Sequence, residues 1–248
     1  MSTKTMTATS VQGLRQRKNN FTGLRSPGLL ARWPIIGISL FVFGSLIFGG
    51  LTYNLYAHGP LLAWDNKIAN TLPAIGLNSP PFVKIIMDAG FYTGEHILIV
   101  LGLLLGIYFT IKRNWQELVM MLAGVAGSQL LFHFISIFVA RARPPTQIWI
   151  ILTSPGFPSG HAITVVAFYG LLAYLIAPKM PSTFWKLIVV AAGLLIIGFV
   201  GFSRIFTAGH YLTDVLAGYS VGIAWSGLIY TLIELYYQKR SRKASLVP

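Results

Sequence analysis

Apolar runs of bilayer length, separated by short polar connections, dominate the chain from residue 34 onward. The first covers Pro34 to Tyr56, and later ones cover 83–111, 115–139, 160–177, 184–202 and 210–236. A helix needs about 20 apolar residues to cross a hydrocarbon core. The pattern therefore predicts an all-α fold, a six-span transmembrane helical bundle. Gly90 and Gly94 mark a place where the second span can break. Residues 58–81 read differently. Leu61, Trp64, Ile68 and Leu72 recur at helical spacing, with Asp65, Asn66 and Asn70 around the rest of the turn. This predicts an interfacial helix between spans one and two, ended at Pro73.

The flanks divide the chain further. Residues 1–33 are polar and basic with no acid, a disordered cytoplasmic tail by composition. Residues 34–237 form the membrane domain, and 238–248 form a second basic tail. The run from Pro34 exceeds a signal-peptide core and no small-residue cleavage site follows it, so it is expected to remain as the first span.

Composition agrees with the pattern. Of 248 residues, 54% are hydrophobic and 10% charged, with a mean hydropathy of +0.67. Soluble domains carry about 25% charged residues. The absence of cysteine excludes disulfides, thiol catalysis and cysteine-held metals. The net charge of +13 suggests nucleic acid at first sight, but no basic cluster is interleaved with aromatics. Its distribution suits a membrane better. The N-terminal tail, Lys112, Arg113, Lys179, Lys186 and the cluster Lys239-Arg240-Ser241-Arg242-Lys243 all fall on one side of a six-span layout. That side is the cytoplasmic one by the positive-inside bias, which places both termini inside.

Three polar strings then fall on the outer side: Arg141-Ala142-Arg143-Pro144, Pro158-Ser159-Gly160-His161, and Ser203-Arg204 with His210 and Asp214. His210 and Asp214 are four residues apart, on one face if the sixth span begins at 210. Asp214 would then accept from one ring nitrogen of His210 and present the other as a nucleophile or base. Ser159 would cap the fourth span, whose free N–H groups favour an anion beside Gly160 and His161. Arg141, Arg143 and Arg204 run against the positive-inside bias, and an anionic ligand supplies a reason. Glu95 and His96 are further polar candidates near the site, and His133 reads as a buried span histidine.

The order and spacing of these strings resemble the three-part signature of the type 2 phosphatidic acid phosphatase superfamily. That signature reads K-x-x-x-x-x-x-R-P, P-S-G-H and S-R-x-x-x-x-x-H-x-x-x-D. The second and third parts are intact here; the first keeps Arg143-Pro144 but has Ser136 at its lysine position. The resemblance spans about residues 60–236. It implies a metal-independent membrane lipid phosphate phosphatase with no cofactor. His210 would take the phosphoryl group, oriented by Asp214, and His161 would serve as acid and then base. Arg143, Ser159, Gly160 and Arg204 would cradle phosphate, with Arg141 as a further candidate standing in for the missing lysine. Expected partners are a lipid phosphate and the bilayer, not nucleic acid. Undecaprenyl diphosphate, phosphatidylglycerophosphate and phosphatidate are the candidate substrates, in a bacterial inner membrane with the site outside. Two rival readings are a lipid phosphotransferase using the same site and a weakened lipid-binding member lacking the lysine.

Overall fold

The structure, a computed structural model, describes residues 34–145 and 154–245; the tail 1–33 lies outside the described residues. All regular structure among the described residues is helical. In chain order the helices are α1 (Pro34–Tyr56), α2 (Leu61–Leu77), α3 (Pro81–Tyr92), α4 (Leu98–Ile111), α5 (Trp115–Val139), α6 (Gly160–Ile176), α7 (Thr183–Phe206) and α8 (Leu212–Ser245). A π-helical turn, Thr93–Ile97, joins α3 to α4.

Among the described residues, five helices are long and apolar enough to cross a membrane: α1, α5, α6 with its short extension to Lys179, α7, and α8 up to Tyr236. The predicted second span is instead a succession of α3, the π turn and the short apolar α4. The break expected at Gly90 and Gly94 is thus a widening of the helix rather than an end. The exposed apolar side chains, such as Leu46, Leu103, Phe138 and Leu195, suit a hydrocarbon surround. α8 runs on through the basic cluster to Ser245.

α6 is the axis of the bundle. Every residue from Ala162 to Tyr169 is buried, because α5, α7 and α8 all pack around it. A helix that is apolar on every face can be satisfied only in such a position. Phe168, Leu171, Val165, Val200 and Met120 are among the side chains of its main core. Gly218-x-x-x-Gly222 faces α6 at close range, as the small-residue spacing predicts. A Cβ built at Gly218 would lie 2.6 Å from the Ser159 carbonyl oxygen, and one at Gly222 would lie 2.7 Å from Val166 Cβ. The similar spacing at Gly102 and Gly106 carries no such approach; added Cβ atoms there meet neighbours only at 3.8–3.9 Å.

Three expectations are corrected here. α2 does not end at Pro73 but continues to Leu77. Pro73 lies on the buried face of the helix with Asp65, Ala69 and Gly76, and packing of that face holds the turn that proline weakens. The predicted apolar face turns outward in part, with Leu61 and Trp64 exposed, while Ile68 and Leu72 pack on the core around Val215. His133 is exposed on α5 rather than buried.

Candidate active site

The ends of α5 and α7 and the starts of α6 and α8 lie at one end of the bundle, and all three polar strings meet there. α5 closes with Ala140 in a left-handed conformation, φ 46°, its N–H returning to the Ser136 carbonyl. This costs about 1 kcal/mol for a residue with a Cβ and turns the chain abruptly toward Arg141. Backbone bonds then tie the strings together. Gly156 N–H donates to the Arg141 carbonyl at 2.7 Å, and Ser159 N–H donates to the Asp214 carbonyl at 2.9 Å.

His210 is the centre of the arrangement. It lies in the turn before α8, not on the helix, and only 2% of it is exposed. Its Nδ1 is 2.7 Å from the Gly156 carbonyl oxygen and 3.7 Å from Asp214 Oδ2. A carbonyl only accepts, so Nδ1 carries the proton and donates to Gly156. The lone pair is thereby placed on Nε2, which faces an Arg143 Nη1 donor at 2.9 Å. The sequence pattern assigned the acceptor role to Asp214; here a backbone carbonyl is the close acceptor and Asp214 stands farther off. The Asp214 carboxylate has other duties: Oδ2 accepts from Tyr211 N at 2.8 Å and Oδ1 from Arg141 Nη1 at 2.5 Å. Asp214 is the third residue of α8, and a carboxylate bonding back to the preceding N–H is half of a capping box.

Burial pushes the His210 imidazole below its ordinary value of 6.5, Arg143 adds to this, and the Asp214 charge and the Gly156 carbonyl oppose it. Neutral histidine is therefore expected to persist below the pH at which an exposed imidazole titrates. A ring-carbon NMR titration of histidine-labelled protein, with His210→Gln to assign the signal, checks this. A midpoint at or above 6.5 would contradict it.

Arg143 is anchored rather than free. Nε donates to the Ser154 carbonyl at 2.8 Å, Nη1 to the Gly209 carbonyl at 2.6 Å, and Nη2 to Ser154 Oγ at 3.1 Å. Burial lowers its pKa and Asp214 opposes the shift; a guanidinium stays charged regardless. Arg204 belongs to the last turn of α7, not to a loop, and is 3% exposed with its guanidinium 4.7 Å from the Phe91 ring centroid. The same ring lies 5.2 Å from that of His161, the second residue of α6, which also feels the charges of Arg204, His210 and Arg143. Ser159 occupies the N-cap position of α6 but makes no side-chain cap bond, contrary to expectation. Its hydroxyl is fully buried with no hydrogen-bond partner among the described residues. Gly160 opens the helix beside it, its Cα hydrogen facing the Phe132 ring.

Arg141 is engaged elsewhere than the first string suggests. Nη2 meets Asp65 Oδ2 at 2.7 Å, Nη1 meets Asp214 Oδ1 and Thr213 Oγ1, and the guanidinium lies 4.2 Å over the Tyr211 ring. Ser136 is buried and its hydroxyl bonds back to the His133 carbonyl. His96 is exposed, its ring beside those of Tyr92 and Phe91, and the Glu95 side chain lies outside the described residues. Sequence reasoning missed Asp65, Phe91, Thr213 and the Gly156 carbonyl. The one available signal was that Asp65 is among only six carboxylates in the chain.

The PAP2 superfamily model matches residues 117–237, which hold both complete strings and Arg143. Residues 117–237 belong to the PAP2 superfamily. Phosphatidylglycerophosphatase B of Bacillus subtilis (strain 168) is 28% identical to this chain over 148 residues, 59% of this chain and 68% of that protein. The crystal structure of a transmembrane PAP2-type phosphatidylglycerolphosphate phosphatase from Bacillus subtilis superposes with a TM-score of 0.66 at 24% identity. It covers 82% of this chain and 96% of that one, so the two share the membrane PAP2 fold.

Proposed function

We propose that this integral membrane PAP2 protein is a metal-independent lipid phosphatase that works through a phosphohistidine on His210. The observation that carries the reading is the His210 ring. Its Nδ1–H is spent on Gly156, so Nε2 presents its lone pair beside the Arg143 guanidinium. Nε2 attacks phosphorus as Arg143 moves its donor from that lone pair to a phosphate oxygen. The bond from phosphorus to the lipid oxygen breaks, and His161 delivers a proton to that oxygen. His161 then takes a proton from water, the water oxygen attacks the phosphohistidine, and inorganic phosphate leaves. Arg143 and Arg204 offset the phosphoryl charge, with the Ser159 hydroxyl and the free N–H groups at the start of α6, including that of Gly160. Asp214 holds Tyr211 and Arg141 and keeps a negative charge near His210. Ser136 offers no cation, so the two arginines carry the cradle. Arg141, held by two carboxylates, is a positioning group in this reading.

The test is phosphate release by purified protein from phosphatidate, phosphatidylglycerophosphate and undecaprenyl diphosphate, with and without EDTA. Release from at least one lipid, largely intact in EDTA, is expected. Loss in EDTA restored by a divalent ion would remove the metal-free mechanism. Transfer of the phosphoryl group to a second lipid in place of water would identify a phosphotransferase.

We further propose that α3, the π turn and α4 together cross the bilayer as a sixth span and that α2 lies in the outer interface. Lys112, Arg113, Lys179 and Lys186 occupy the end of the bundle opposite the site, which supports cytoplasmic termini in a bacterial inner membrane and an external site. Single cysteines at Ser154 and Ser241 test this. Ser154→Cys should react with an impermeant maleimide added outside intact cells, and Ser241→Cys should react only after permeabilisation. The reverse pattern would put the site inside.

A further inference from the structure

We infer that Asp65, on α2 and outside the PAP2-matched segment, is a positioning residue of the phosphoryl-transfer site. It acts through Arg141 and the first turn of α8, and the inference rests on the site reading above. The Asp65 carboxylate is 1% exposed, and both of its oxygens are committed to that turn and to Arg141. Oδ1 accepts from Thr213 N at 2.9 Å, while Oδ2 accepts from Thr213 Oγ1 and, at 2.7 Å, from Arg141 Nη2.

The contacts have a directional logic. The N–H groups of a first helical turn lack partners within the helix. In α8 the residue before the helix is Tyr211, not one of the short polar residues that usually cap a helix. Asp65 supplies the missing acceptor from another helix. The Thr213 hydroxyl donates to Asp65 and accepts from Arg141 Nη1 at 2.8 Å, which closes a ring of three residues. Arg141 is therefore shared between two buried carboxylates, Asp65 on Nη2 and Asp214 on Nη1. Removing the Asp65 charge leaves Arg141 with Asp214 alone. Its full attraction then falls on the carboxylate that caps Tyr211 and lies 3.7 Å from the His210 ring. Arg141 keeps Asp214 as its ion-pair partner, so no buried charge is left uncompensated and the fold should stand. Asp65 touches no reacting atom in this scheme; it sets the position and the electrostatic surroundings of the groups that do.

The experiment uses the full-length protein in detergent and the lipid phosphate that the wild type hydrolyses fastest. Asp65→Asn keeps the shape and one acceptor but removes the charge. It should lower kcat about ten- to a hundredfold, the range of a charge-assisted contact, with KM within about threefold and a thermal midpoint near that of wild type. Asp65→Glu should recover part of kcat, and Asp65→Ala should not. A kcat for Asp65→Asn within twofold of wild type would overturn the inference, as would a loss confined to KM. Should Asp65→Asn fail to fold, Thr213→Val probes the same link, because it removes the shared hydroxyl and keeps the amide. A folded Thr213→Val protein with wild-type kcat would then overturn it, and a fall in kcat alone would support it. If the wild type releases no phosphate from any lipid, the site reading fails and takes this inference with it. If the wild type is active and Asp65→Asn matches it, this inference fails alone.

Discussion

His210→Gln is expected to reduce phosphate release to about 10⁻⁴ of the wild-type rate or lower, the scale seen when a covalent nucleophile is removed. The reason lies in one atom. Nε2 is the ring position left with a lone pair once Nδ1–H donates to Gly156, and it lies 2.9 Å from Arg143 Nη1. Glutamine presents a weakly nucleophilic amide at about the same reach. It also retains hydrogen-bonding capacity in a site that is 2% exposed, so the fold should survive. A second observable follows from the same chemistry. A phosphohistidine is a phosphoramidate, stable in base and lost in acid. Rapid base quenching of wild type with labelled lipid phosphate should trap label on the protein, and His210→Gln should trap none. Label on His210→Gln, or turnover within tenfold of wild type, would assign the nucleophile elsewhere.

Arg143→Lys is expected to cost about 10²- to 10³-fold in kcat, the range for removing one preorganised donor from a developing anion. The substitution keeps the charge and loses the geometry. The Arg143 fork is fixed by the Ser154 and Gly209 carbonyls and by Ser154 Oγ, which aims Nη1 at the His210 lone pair. A lysine ammonium has no planar fork and must choose among these acceptors. The loss should appear in kcat and in the affinity for vanadate, which mimics the five-coordinate phosphorus of the transition state, more than in substrate KM. Ser136, at the position where the family signature has lysine, is neutral and supplies no replacement cation. Wild-type vanadate affinity in Arg143→Lys would remove Arg143 from the cradle.

The helices long and apolar enough to cross a membrane were legible because their signal is local. A bilayer core imposes a length and an apolar composition that can be counted along the chain, and α1, α5, α6, α7 and α8 fall where those runs fall. The motif residues were legible for a related reason: Arg143, Ser159-Gly160-His161, Ser203-Arg204, His210 and Asp214 hold fixed spacings in short strings. Their partners were not. The amphipathic pattern of α2 assigned Asp65 to the polar side of an interfacial helix, whereas the fold buries it beneath Arg141 and Thr213. Phe91 read as one more aromatic in an apolar run, yet its ring lies beside both Arg204 and His161.

By itself, then, the sequence determined the apolar runs of bilayer length, the places where five long helices fall, and the short polar strings that carry the candidate residues. Each of these depends on composition, period or spacing over a few turns. Only the tertiary structure decided who holds whom. It gave the His210 proton to a backbone carbonyl, spent Arg141 on two carboxylates, and brought α2 into contact with the first turn of α8. The physical reason is that a buried donor or acceptor must find a partner wherever packing brings one within about 3 Å, and such partners come from segments tens of residues apart whose meeting no local pattern records.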